Sequence, residues 1–264
     1  TSLPDSAKPE LVVFREGDEP VLAFFLGKAN LVRKGLFKSR GWFVQATGIP
    51  ALDRIYIEYN GFLCRKDKQF DLAALLGELP DSWDELYLPG LDRRSFPGTV
   101  ILNPIPPYRT IVGDDLVAPF VDLERVRERG GDYLSLLSAN TRAQIQRSYR
   151  WCEKQDAPVR LDTARDLPEA LEIFRELVDL HEYTWAKRGK KGAFSSDYLF
   201  GFHERLIQKR FPQGEIQLLR TKCGDHTVGC LYNFVYKKHV YFYQSGINYD
   251  LDARLKPGFI THVE

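Results

Sequence analysis

The residues best suited to chemistry lie towards the C-terminal end of the chain. Tyr243-Gln244-Ser245-Gly246 closes an aromatic segment, and a polar loop leads from it to Arg254-Leu-Lys256-Pro257-Gly258-Phe259-Ile-Thr. Gly258 lets backbone approach a ligand closely. A helix starting beside it would present unpaired N–H groups and the positive end of its dipole, which suits a pyrophosphate. Arg254 and Lys256 add charge there. Tyr243 is the first choice for a polar group on the preceding strand. Upstream, His181 and Trp185 end an otherwise apolar helical stripe, with Glu182 at its edge. That turn could line a pocket, with His181 or Glu182 as base. Glu58, Asp53 and Asn60 are polar candidates in the first half. Each has a plainer reading: a Pro-Gly turn opening a helix, a cross-strand tyrosine beside Tyr232, Tyr236 and Tyr241, a satisfied core histidine and tryptophan, and solvated carboxylates.

Other chemistries lack their residues. There is no Gly-rich phosphate loop, no Gly-x-Ser-x-Gly elbow and no His-Glu-x-x-His, so hydrolase and kinase readings have no support. No metal site is expected. Lys and Arg number 37 against 36 Asp and Glu, a net +1, which argues against a dedicated nucleic-acid binder. The hydrophobic fraction is 44 %, enough for a sizeable core. Cys223 and Cys230 flank a Gly224-Asp225 turn, where a disulfide is conceivable, but four cysteines in 264 residues do not make a secreted scaffold. They read as reduced and the chain as cytoplasmic. No apolar run reaches the length of a membrane helix. Methionine is absent and the chain stops just inside a new helix, so both ends read as cut.

The elements that must position these residues follow from periodicity. In the first half, 11–15 and 21–26 form a hairpin about Gly17-Asp18, with strands at 42–45, 55–59 and 85–88 and a helix over 70–79. The Pro-rich run Asn103-Pro-Ile-Pro-Pro-Tyr108 marks a boundary. After it a strand is expected at 116–121, a helix from Ser138 or Asn140 to about Lys154, a strand at 159–161, and helices over 168–187 and 196–211. The last helix should turn Tyr198, Phe202 and Leu206 inward, and Leu199 with them. A three-stranded antiparallel meander follows at 216–220, 228–236 and 240–246. Arg142, Arg147, Arg150 and Lys154 mark a helix face that is either solvated or meets an anionic partner.

The order of helices, meander, loop and helix resembles the core of the GNAT superfamily of N-acyltransferases. Several stretches resemble the CelD/BcsL-like family within it, a relative of the Fem-type aminoacyl transferases. They are Leu137-Ser-Ala-Asn-Thr-Arg-Ala-Gln-Ile-Gln-Arg147, Leu180-His-Glu-Tyr-Thr-Trp185, Gly192-Ala-Phe194, Val228-Gly229, Lys256-Pro-Gly258 and Asp53-Arg-Ile-Tyr-Ile-Glu-Tyr-Asn-Gly61. The loop departs from the superfamily's fuller Gly-x-Gly form, and Pro257 removes one N–H.

The resemblance implies an α/β fold of two GNAT-like halves with mixed, largely antiparallel sheets. Residues 1–115 would be a degenerate half shaping the acceptor side, and residues 116–264 the catalytic half, incomplete at its C-terminus. It implies transfer of an acyl group, first of all acetyl, from acetyl-CoA or another acyl-CoA to an amine of a small molecule, glycan or peptide precursor. Gln244, Ser245, Gly246, Arg254, Lys256, Pro257, Gly258 and Phe259 would hold the donor. Tyr243, Glu182, His181 and Glu58 would handle protons. Trp185, Asp53 and Asn60 would meet the acceptor. Two other functions remain open: a Fem-type transferase taking aminoacyl-tRNA, and a non-catalytic GNAT-like component of a polysaccharide assembly system.

Overall fold

The computed structural model describes residues 3, 5–54, 58–68, 71–80, 82–92, 105–154 and 158–264. The chain divides into two compact units, one ending at Ala118 and the other beginning at Pro119.

Among its described residues the first unit is a mixed sheet with one short α-helix on it. β1 (Glu10–Glu16) turns at Gly17, φ 59°, into β2 (Glu19–Arg33), as the sequence leads one to expect. β2 pairs onward with β3 (Phe37–Val44) and with the two-residue β4 (Leu63–Cys64), all antiparallel. β5 (Glu85–Tyr87) joins β3 in parallel. α1 (Leu72–Glu78) starts where the Asp71 carboxylate accepts the Ala73 N–H, and it buries Leu72, Leu75 and Leu76 against Phe24, Leu26, Trp42 and Val44. Part of the strand expected at 55–59 lies outside the described residues.

The expected strand at 116–121 does not form. Those residues have no strand partner among the described residues, and Leu116, Val117 and Phe120 are exposed. The apolar run has strand composition, but Pro119 cannot donate to a ladder and breaks it in the middle. α2 (Leu123–Glu128) follows directly, capped by Asp122.

The second unit is built on a four-stranded antiparallel sheet in the order β6-β7-β8-β9: β6 (Val159–Thr163), β7 (Ile216–Cys223), β8 (His226–Tyr236) and β9 (His239–Ile247). α3 (Ala139–Glu153) is capped by Ser138 and α4 (Leu167–Lys187) by Asp166, with Pro168 in its first turn. α4 buries Ala170, Ile173, Phe174, Leu177 and Val178 against Ile216, Leu218, Cys230 and Tyr232. α5 (Asp197–Arg210) adds Ile207 to this core. α6 (Pro257–Val263) and α3 form a second cluster with β7 and β8 through Ile260, Cys152, Cys223 and Val228. The sheet's alternation separates the two clusters. Cys230 and Tyr232 point to α4 and α5, while Gly229, the residue before Cys230, faces α6, where an added Cβ would lie 2.6 Å from Thr261 Oγ1.

The inward face of α5 is rotated by one residue from the expected one. Leu199, His203 and Ile207 are buried, whereas Phe202 is exposed and Tyr198 half-buried. A histidine at the centre of the stripe disguises its phase, because it counts as polar in any periodicity reading. All four cysteines are free. Cys223 stands opposite His226 and Cys230 opposite Arg220, so those two do not face each other. Burial pushes the Cys152 thiol up to about 12, aided by its neighbour Cys223.

Candidate active site

β9 is the outermost strand of its sheet, and it carries a bulge. Tyr232 stands opposite Gln244 and Asn233 opposite Phe242, so the register shifts at Tyr243. A bulge twists a strand and redirects the extra side chain. Here the Tyr243 hydroxyl reaches Nε2 of His203 at 3.0 Å. The other ring nitrogen of His203 faces the Tyr232 hydroxyl at 3.4 Å. Three polar groups from α5, β8 and β9 thus form a chain inside the aromatic core of Phe174, Phe194 and Phe234.

Burial alone lowers the His203 imidazole to about 4, so the ring is neutral near pH 7. A neutral ring donates from one nitrogen and accepts at the other, so one tyrosine donates to it and the other accepts. Burial likewise raises the Tyr232 hydroxyl, next to Tyr243. A histidine whose folded value lies below its unfolded 6.5 contributes fully above pH 6.5, and the contribution is lost as pH falls towards 4. The loss by pH 4 should approach about 3 kcal/mol. Urea unfolding at pH 7 and pH 4 is expected to show this slope in the native protein, and a flatter one in His203→Phe.

The outer edge of β9 is addressed by α4. His181 donates from Nδ1 to the Ser245 carbonyl at 3.1 Å, and Thr184 donates to the Ile247 carbonyl at 3.3 Å. The tautomer is fixed because His181 Nε2 accepts the Ala193 N–H at 3.2 Å. Desolvation lowers the His181 pKa. Strand geometry turns the N–H of Ser245 to the same side as its carbonyl. Glu182 accepts the N–H groups of Gly192 (3.1 Å) and Phe194 (2.9 Å). His181 and Glu182 together therefore pin the 3-10 turn Ala193–Ser195 beside β9. Trp185 is half-buried, with His181 on one side and the Arg188 guanidinium 5.4 Å from its ring centre. At the end of α4, Tyr183 and Lys187 both bond Asp250, in the loop after β9.

Gly246 sits where β9 touches α4. A Cβ there would collide with the Leu177 carbonyl oxygen and lie 2.8 Å from the Leu177 Cα. Gly258 differs: its nearest neighbour would be the Tyr249 hydroxyl at 3.8 Å, so the space beside it is open. Arg254 closes on Asp252 through two bonds of 2.8 and 2.9 Å and holds that carboxyl far below the usual carboxylate range. Lys256 is exposed and Pro257 buried, and the Pro257 carbonyl accepts from Thr261. Phe259 is exposed.

One residue that positions this loop has no counterpart among the expected site residues. Ser148 on α3 is fully buried; its hydroxyl donates to the Gln144 carbonyl and accepts the Lys256 N–H, both at 3.0 Å. A serine inside the apolar stripe Ile145, Tyr149 and Cys152 was the available signal. Ser148→Ala strands the Lys256 N–H and is expected to cost about 1–3 kcal/mol. The fall in urea midpoint, with faster amide exchange at Lys256, would register it.

Two of the first-unit candidates, Asp53 and Asn60, have structural partners of their own. Asp53 accepts from the N–H groups of Thr47 and Gly48 and from the Thr47 hydroxyl. Asn60 is buried, donates to the carbonyls of Val44 and Pro89, and accepts the Gly61 N–H. Glu58 is exposed.

Among the described residues, no helix is long and apolar enough to cross a membrane. No curated protein matches this chain. Residues 139–264, a little under half the chain and all within the second unit, match the family model described as an acetyltransferase (GNAT) domain.

Proposed function

We propose that the second unit transfers an acyl group, acetyl in the first instance, from coenzyme A to a primary amine. The observation that carries this reading is the bulged outer strand β9, with the Tyr243 hydroxyl on neutral His203, inside the stretch that matches the GNAT model. GNAT domains generally use acyl-CoA donors. The thioester would lie along the outer edge of β9, where the outward N–H of Ser245 can bond the pantetheine arm. The open space at Gly258, with Lys256 and the first turn of α6, would receive the pyrophosphate.

In the reaction the neutral amine nitrogen attacks the thioester carbonyl, the C–S bond breaks, the thiolate takes a proton, and the proton lost by the nitrogen passes to water, from which the donor hydroxyl is restored. Tyr243 is assigned as donor of the thiolate's proton, with His203 orienting its hydroxyl. His181 and Glu182 are assigned to hold the 192–195 turn in place. The first unit would be a degenerate GNAT-like half, and the whole chain a member of the CelD/BcsL-like branch. The acceptor class favoured is an amine on a cell-envelope or polysaccharide precursor, as the resemblance implies. Gly258→Val tests the donor site. Folding should be little affected, while acetyl-CoA affinity, read by calorimetry, should fall by at least tenfold, on the order of 1.4 kcal/mol. Unchanged affinity would remove the 254–259 loop from the donor site.

A second reading, transfer from aminoacyl-tRNA, rests on the exposed face of Arg147, Arg150 and Lys154 on α3. Its signature is binding of charged tRNA that weakens steeply with salt.

A further inference from the structure

The β2–β3 arm of the first unit has no part in the chemistry above. β1 pairs with β2 only as far as Leu26, and β5 pairs with β3 only from Gly41 on. Beyond those points the two strands pair with each other alone, Leu31 with Ser39, Val32 with Lys38 and Arg33 with Phe37. At the end, the Leu36 N–H donates to the Arg33 carbonyl at 3.1 Å, with Lys34 and Gly35 at φ 49° and 72°. Such a turn needs glycine-like freedom and is made for a tight reversal, so the arm is built to its tip.

That tip is apolar where solubility would favour polar residues. Leu36 is 82 % exposed, and Val32 and Phe37 are 64 % exposed each. Around them stand cations. Arg33 pairs with Glu85 and Arg40 with Asp84, while Lys34 and Lys38 have no ion-pair partner among the described residues. No acidic residue occurs between Glu19 and Asp53, whereas Lys28, Arg33, Lys34, Lys38 and Arg40 all do.

We propose that this arm docks the protein on an anionic lipid surface, with Val32, Leu36 and Phe37 entering the headgroup layer and Lys34 and Lys38 meeting lipid phosphates. An apolar point backed by cations matches the two layers of such a surface, acyl chains within and negative charge without. Nucleic acid fits less well: Phe37 is the one ring at the tip on which a base could stack, beside aliphatic Val32 and Leu36, and the chain's overall charge is only +1. One short anchor implies weak, reversible binding.

The test is co-sedimentation of the full chain with vesicles of equal parts phosphatidylglycerol and phosphatidylcholine, beside vesicles of phosphatidylcholine alone. Binding to the anionic vesicles is expected, weakening as salt rises, with little to the neutral ones. Lys34→Glu with Lys38→Glu should weaken it by about 30-fold or more, and Leu36→Ser with Phe37→Ser by at least about tenfold. All four positions are exposed, and circular dichroism would check folding. If the serine pair unfolds, the charge-reversed pair decides. The proposal falls if native protein ignores anionic vesicles, or if both variants bind as it does. It falls equally if duplex DNA binds more tightly than vesicles, or if light scattering shows the serine pair dissolving a dimer.

Discussion

Replacing Gly246 with valine is expected to cost the second unit about 3 kcal/mol or more, at the upper end of what overpacking a core does. The reason is what stands opposite. The atoms a Cβ would meet at Gly246 are the carbonyl oxygen, Cα and carbonyl carbon of Leu177, with the last two at 2.8 and 2.9 Å. Leu177 is fully buried in the middle of α4, so neither a side-chain rotation nor a small helix shift relieves the clash. β9 must instead move away from α4. That movement also lengthens the His181 bond to the Ser245 carbonyl, at the edge proposed to hold the thioester. A lowered urea midpoint with an unchanged slope would be the readout. A midpoint equal to that of the native protein would mean that β9 and α4 are not in contact as described.

Tyr243→Phe is expected to have the largest effect on turnover, a fall in kcat of about 100-fold with KM little changed, as for loss of a positioned proton donor. The hydroxyl is the only atom removed, and the ring keeps its contacts with Phe234 and Tyr232. The His203 Nε2 would lose its 3.0 Å partner inside the core, so a stability loss of about 1–3 kcal/mol should accompany the change. The two effects separate the roles. A stability loss without a change in kcat would reduce the Tyr243–His203 pair to core packing. His203→Phe should lower kcat too while leaving the Tyr243 hydroxyl in place, which marks His203 as a positioning residue.

Much of this architecture was legible in the sequence because its signals are local. The Gly17 turn between alternating strands, the Asp166 cap with Pro168, the long apolar stripe of α4 and the meander each declare themselves within a few residues. The antiparallel meander followed from them, and the α/β class with largely antiparallel sheets was what the resemblance implied. What could not be read depends on partners far away in the chain. His181 and Glu182 look like an acid–base pair on a helix edge, yet their polar atoms meet backbone of residues 192–194 and 245. The bulge at Tyr243 arises from pairing with β8, which no strand propensity encodes. His203 was hidden because a buried histidine imitates a solvent-facing position, and Ser148 because its partner lies 108 residues on, at Lys256. The strand expected at 116–121 failed for the opposite reason: local composition spoke for it and nothing distant pairs with it.

Use of coenzyme A as the acyl carrier is checked by calorimetric titration of the full chain with acetyl-CoA. Saturable one-to-one binding is expected, weakened at least tenfold by Gly258→Val. Absence of binding at millimolar acetyl-CoA, in protein shown to be folded, would contradict it.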